Sequence, residues 1–432
     1  MIASLTWQSR QLRTAVLRAL GWLAAVAFLA WAVRLVALEG YLYEIGGNFV
    51  GDFTRTAALG APDWYSGSGL FYGPIFVLES RFLVQTEILS PGDFARLDFV
   101  LFGVAFACVW LALFGWRRPA LAVFVLAAWL AHHMTVEAFS NTAHLEVLEF
   151  ALFAVALLLA VRGSSNLAGG ALGLAIATKT LPALFLPYLA ITRKWRMLAV
   201  AAVTAFVLFA AVCWLQGVSL FDGAYQLIYQ GGNLAKVETS EYEYTLRAEI
   251  ARMLAGDGGS LSDDQSHLAA SLAWLIGIVV VGFVGWLCAR VRIPRSRYGL
   301  LFGLIAAVML VVAPSAHAPY YIFLLIGWTA ILAAALAMPF GRRPLAICTG
   351  LALAYVFTGF DQVFFAMQRL FGFGIVVPQH WQAWHLPTFG LLLTIGLLAL
   401  LLREPLEAPA PESVRAEPQT SAQAVLAAET ST

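Results

Sequence analysis

Asp52 lies within Glu44–Ala58 (EIGGNFVGDFTRTAA), beside glycines and directly after the first long apolar stretch of the chain. A carboxylate there has little packing use, but it can take the proton of an attacking hydroxyl as a general base. It also suits a helix N-cap, since Phe-Thr-Arg-Thr-Ala-Ala is a fair helix start, and the two roles are compatible. Arg55 follows three residues later on the same helix face. It can keep the carboxylate ionised, contact a phosphate, or form a surface ion pair. Lys179 sits inside an apolar segment, where a lysine costs roughly 2.5–3.5 kcal/mol unless it reaches a cavity or a partner. A phosphate would offset that cost, and so would a carboxylate such as Glu146. His317, between Pro314 and Pro319, can bind phosphate or a second substrate, or simply be a satisfied interfacial residue. His144 and Glu146 are two apart and face differently on a helix, which excludes a metal pair by spacing. Glu146 and Glu149 do share a face. His132-His133 with Glu137 has the composition of a metal cluster, but adjacent histidines at the end of a span are expected to be solvated, and no metal site is expected. Tyr72, Trp381 and Trp384 can stack on a ligand ring or belong to an interfacial aromatic belt.

These residues are carried by a strongly apolar chain. Of its 432 residues 61% are hydrophobic and only 12% charged, with a mean hydropathy of +0.80. No water-soluble fold hides that fraction, so an all-α polytopic membrane protein follows. A net charge of +1 gives no footprint for nucleic acid. Cys108, Cys213, Cys288 and Cys348 each lie in an apolar run without short spacing and read as small buried hydrophobes. Arg10, Arg13 and Arg18 precede the first apolar run, which lacks a small-x-small cleavage site and reads as a retained span.

Apolar stretches of spanning length occur at 18–38, 98–116, 119–138, 142–162, 197–215, 268–290, 298–314, 319–339, 344–365 and 386–402; a bilayer requires about 20 residues. The segment 166–192 is too long for one span and too short for two. Lys179-Thr-Leu-Pro182 interrupts it, and proline cannot continue the helical hydrogen bonding. It reads as two half-length helices dipping into the membrane with Lys179 near the apex, or as two short spans. Arg117-Arg118, Arg162, Arg193 to Arg196, Arg290 to Arg297, Arg342-Arg343 and Arg403 then share one side with the N-terminal arginines. The positive-inside rule makes that side cytoplasmic, with both chain ends.

Loops at 39–97, 216–267 and 366–385 fall on the opposite, exoplasmic face, and 404–432 has the composition of a disordered cytoplasmic tail. A transporter is expected to show matched repeats with ionisable residues at mid-membrane. Here the polar residues gather at the outer ends of spans instead, where a lipid-borne substrate meets an aqueous one. That pattern favours an enzyme at the outer interface.

One stretch carries a family resemblance. Gly169 to Leu189, GGALGLAIATKTLPALFLPYL, followed by Arg193-Lys-Trp-Arg196, resembles the signature of the GT87 glycosyltransferases. The Gly-Asp52-Phe element is similar to the family's catalytic loop, and Phe71-Tyr-Gly-Pro-Ile-Phe76 to its Tyr/Pro loop. His144-Leu-Glu-Val-Leu-Glu-Phe150 stands where the family has Gln-x-Asn, and Pro314 to Tyr321 where it has a Ser-Trp-x-His-like element. The resemblance covers most of 20–340. It implies a GT-C fold of about 10–12 membrane helices over 1–403, in the plasma (inner) membrane. It also implies transfer of a hexose, most readily mannose, from a polyprenyl-phosphate donor to a lipid-linked or envelope glycan. By that resemblance Asp52 is the single base of an inverting reaction, and Lys179, His317 and Arg55 bind the donor phosphate. Tyr72, His144 and Glu146 then touch substrate, and neither cofactor nor metal is called for. Another polyprenyl-phosphate sugar such as arabinofuranose, or a flippase for such lipids, remains the alternative.

Overall fold

The computed structural model describes residues 19, 21–34, 91–116, 118–140, 144–215, 217–225, 245–255, 261–313, 316, 318–359 and 386–404. Among them all regular structure is helical. The helices are α1 Gly21–Arg34, α2 Pro91–Leu113, α3 Pro119–Ala131, α4 His133–Ser140 and α5 His144–Val161. There follow α6 Ser165–Thr178, α7 Phe185–Ile191, α8 Trp195–Leu215, α9 Leu246–Ala255 and α10 Asp263–Arg290. The last four are α11 Tyr298–Val312, α12 Leu324–Ala337, α13 Arg342–Gly359 and α14 Leu386–Arg403. Among the described residues six stretches are long and apolar enough to cross a bilayer: Arg96–Leu113, Trp195–Leu215, Asp263–Arg290, Arg295–Val312, Pro319–Ala337 and Leu386–Arg403. The protein is an all-α polytopic membrane protein. The chain divides into a main unit, Met1–Leu402, and a C-terminal segment, Arg403–Thr432.

Burial sorts the spans. Every residue of α11 from Tyr298 to Val311 is buried, and most of α12 with it. A helix apolar on all sides belongs in the interior. By contrast α8 and α10 turn Val203, Phe206, Val207, Trp274, Leu275, Ile278 and Val279 outward, as lipid-facing helices do. The central pair meets at two glycines: a Cβ built on Gly303 would lie 2.4 Å from the Cα of Gly327. Small residues allow such close backbone approach, which is where dispersion between membrane helices is gained. α6 uses the same device against α8. A Cβ on Gly169 would lie 2.6 Å from the Met197 carbonyl oxygen, and one on Gly173 2.7 Å from that of Ala201. Hence Gly169 and Gly173 of the 169–189 stretch serve helix contact.

The interrupted segment is seen directly. α6 has 14 residues, about 21 Å at ~1.5 Å per residue, short of the ~30 Å hydrocarbon core. It stops at Lys179, whose backbone is extended (φ −150°, ψ 139°). A 3-10 turn, Leu181–Leu184, with Pro182 buried near its start, leads into α7. Both ends of the segment return to one end of the bundle. The Arg295 guanidinium packs on Gly163, which has φ +87°, so that a Cβ there would sit 2.7 Å from Nη1. Lys194 lies over the Tyr298 ring at 4.9 Å, and Arg297 Nη1 donates to the Leu402 carbonyl at 3.0 Å. Cationic turns distant in sequence therefore share one end, as the charge pattern requires.

Several expected boundaries need correction. The stretch 119–138 is not one helix but α3 and α4, broken at the extended residue His132. The stretch 319–339 opens as a 3-10 turn, Ala318–Phe323, before α12. Two loops are shorter than expected: α2 begins at Pro91, and 216–267 contains α9 and the start of α10. A capping box explains that early start, because Ser262 and Gln265 exchange side-chain and backbone hydrogen bonds. The 344–365 helix ends at Gly359, whose φ of +147° favours glycine.

Candidate active site

Three elements converge on the helix break after α6. α5 supplies Glu146 and Glu149, one turn apart on one face. The extended residue that ends α6 supplies Lys179. The 3-10 turn Ala318–Phe323, packed against α4, α5, α11 and α12, supplies Tyr320. Extended backbone at Lys179 turns its side chain out of the helical stack and into the protein. Nζ reaches Glu146 Oε1 at 2.5 Å, and the Tyr320 ring covers the ammonium at 3.8 Å to its centroid. All are nearly sealed: Lys179 is 2% exposed, Glu146 7% and Glu149 0%.

Glu149 is the exception to the pairing. Neither of its carboxyl oxygens has a hydrogen-bond partner among the described residues, although both are buried. Thr135 on α4, itself 0% exposed, likewise has an Oγ1 without a partner. Buried polar groups almost always find partners, so an orphaned carboxyl one turn from the Lys179–Glu146 ion pair is out of the ordinary. The cluster offers an ammonium donor, two carboxyls and an aromatic face. That set suits an anionic or polyhydroxylated ligand.

Of the residues singled out by sequence, Lys179 and Glu146 come together. Their ion pair realises the carboxylate partner anticipated for a buried lysine. Asp52, Arg55, Tyr72 and His317 lie outside the described residues, as does the His144 side chain, although His144 begins α5. The expectation that His132 is solvated is wrong. It is 1% exposed, and Nε2–H donates to the Tyr355 carbonyl at 3.2 Å while Nδ1 accepts from the Met134 amide at 3.3 Å. Its ring packs against Trp328 and Tyr355. The break between α3 and α4 drives the ring inward, where it closes the gap in the helical hydrogen bonding. Sequence reasoning assigned no role to Tyr320, though it stands within the quoted Pro314–Tyr321 element. It also passed over Asp98, buried on α2, whose signal was an acid at the mouth of an apolar run.

The fold and the site define an all-helical integral membrane protein with a sealed cluster of charge at a broken helix. The model of Glycosyltransferase family 87 matches residues 70–315, more than half of the chain, and the protein belongs to that family. Tyr72, His144, Glu146, Glu149 and Lys179 fall within the matched residues, whereas Asp52 and His317 fall outside them. No curated protein matches the chain.

Proposed function

We propose that this glycosyltransferase moves a hexose, mannose in the first instance, from a polyprenyl-phosphate donor to a lipid-linked or envelope glycan at the exoplasmic face of the inner membrane. The observation that carries this reading is the buried Lys179 ammonium at the helix break, held by Glu146 and covered by Tyr320. An ammonium enclosed in an apolar bundle suits a lipid-borne phosphate, which enters sideways from the bilayer and needs a cation at membrane depth. The GT-C fold expected of the family fits the helical bundle.

In this mechanism an acceptor hydroxyl oxygen attacks the anomeric carbon while the bond from that carbon to the phosphate oxygen breaks. Asp52 takes the hydroxyl proton, and the electron pair of the broken bond leaves on the polyprenyl phosphate. The phosphate departs with its own charge, so one carboxylate suffices and the product is inverted. Lys179 steadies the charge that develops on the leaving oxygen, assisted by His317 and Arg55. Glu146 keeps the lysine in place, and Tyr72 and His144 contact the sugar or the acceptor.

The test is transfer from radiolabelled polyprenyl-phosphate-mannose into extracted lipids by the purified protein, wild type beside Asp52→Asn. Product from wild type alone is the expected result. Equal product from both removes Asp52 from the mechanism. No product from mannose but product from another polyprenyl-linked sugar overturns the choice of sugar.

A further inference from the structure

We propose that Glu149 accepts hydrogen bonds from the hydroxyl groups of a sugar ring and so helps set substrate specificity. The inference rests on the glycosyl transfer that defines the family, not on which lipid carries the sugar. Two observations meet at this residue, and a third lies on a neighbouring helix. Glu149 is fully buried with both carboxyl oxygens unpartnered. It shares a helix face with Glu146, whose carboxylate holds the buried Lys179. Thr135 Oγ1, on α4, is buried and unpartnered in the same way, and α4 and α5 both pack on the 3-10 turn that carries Tyr320.

Charge selects the occupant. A free cation beside Glu149 would meet the Lys179 ammonium, and a phosphate belongs at that ammonium rather than against the Glu149 carboxyl. A neutral polyhydroxylated ring satisfies both groups. Its hydroxyls donate to the carboxyl oxygens, which together have room for several hydrogen bonds. Discrimination by such a site is strong, because a sugar lacking the matching hydroxyl leaves a buried acceptor unpaired again. The hydroxyls can belong to the donor sugar or to the acceptor sugar, and the experiment separates the two.

Thermal unfolding of purified wild type, Glu149→Gln and Glu149→Leu would be followed without ligand, then with three kinds of lipid. These are bare polyprenyl phosphate, the same lipid carrying mannose, glucose, galactose or arabinofuranose, and a mannosylated glycolipid acceptor. In wild type the lipid bearing the cognate sugar stabilises beyond its sugar-free counterpart, and Glu149→Gln loses that increment. The KM for the same substrate rises roughly ten-fold or more, with kcat less affected. Loss confined to the polyprenyl-linked sugar places Glu149 on the donor, and loss confined to the glycolipid places it on the acceptor. Without ligand, Glu149→Leu melts no lower than wild type, because an orphaned carboxyl has been removed. A lower melting temperature for Glu149→Leu without ligand overturns the proposal, since the carboxyl is then satisfied within the resting protein. An undiminished increment with an unchanged KM in Glu149→Gln overturns it as well. Should a sugar other than mannose stabilise wild type, the mannose reading fails while the Glu149 comparison proceeds with that lipid. Should no lipid stabilise wild type, the ligand-free melting comparison decides.

Discussion

Lys179 Nζ and Glu146 Oε1 lie 2.5 Å apart, although 33 residues separate them in the chain and both are buried. An ion pair so enclosed has lost nearly all of its hydration. Its attraction must therefore work against a desolvation penalty of several kcal/mol per ion. A protein that needs only stability is served as well by apolar residues there. A charged pair kept at a helix break is better explained by use.

Breaking the pair from one side should be costly. Lys179→Ala leaves Glu146 buried and alone, and a loss of about 3–5 kcal/mol of stability is expected. The double variant Lys179→Met with Glu146→Leu should recover most of that loss yet remain inactive in transfer. Thermal unfolding and the radiolabel assay, run on the same preparations, check both statements. Recovery of activity with stability would assign the pair to packing alone.

The paired glycines of α6 give an internal control. A methyl group on Gly169 meets the Met197 carbonyl at 2.6 Å, whereas one on Gly170 meets nothing within 4 Å. Gly169→Ala should lose about 1–3 kcal/mol through overpacking. Gly170→Ala should be neutral or gain up to about 1 kcal/mol from helix propensity. Melting temperatures of the two variants decide it, and equal values would mean that α6 and α8 do not meet as described.

His132 should behave as a structural residue. Its Nε2 lies 3.2 Å from the Tyr355 carbonyl and 3.3 Å from Thr358 Oγ1. His132→Leu removes these hydrogen bonds together with the one that Nδ1 accepts from the Met134 amide, and should lose about 1–3 kcal/mol. Transfer per folded molecule should be unchanged, measured after normalising to monodisperse protein. A selective loss of kcat would place the histidine in the chemistry instead.

The topology has its own test. Ser164→Cys and Lys194→Cys flank the interrupted segment, while Asp264→Cys opens α10. A membrane-impermeant thiol reagent applied to sealed, oriented vesicles should modify the first two from the cytoplasmic side only and the third from the opposite side only. Modification of Ser164→Cys and Lys194→Cys from different sides would rule out a segment that enters and returns.

Some features were legible in the sequence because they follow from local composition. Mean hydropathy and the length of apolar runs determined an all-α membrane protein, since unbroken apolar runs of about 20 residues suit spanning helices whereas barrel strands need only about 9–11. Arginine placement indicated which turns share an end, and the contacts of Gly163 with Arg295 and of Lys194 with Tyr298 agree. Proline and lysine within 166–192 marked the helix break, because Pro182 cannot continue the hydrogen-bonded helix. The residues of 70–315 suffice for membership of the glycosyltransferase family. The tertiary structure alone decided the pairings. Nothing local distinguishes Glu146, which holds Lys179, from Glu149 one turn later, which holds nothing. Nor does a His-His pair reveal that its first ring turns inward to Tyr355 and Thr358. Such choices depend on which distant helix supplies the opposing group, and therefore on the packing of α5, α6 and the 3-10 turn Ala318–Phe323 at once. Hydropathy is a sum over neighbours in sequence, whereas the partner of a buried charge is a neighbour in space.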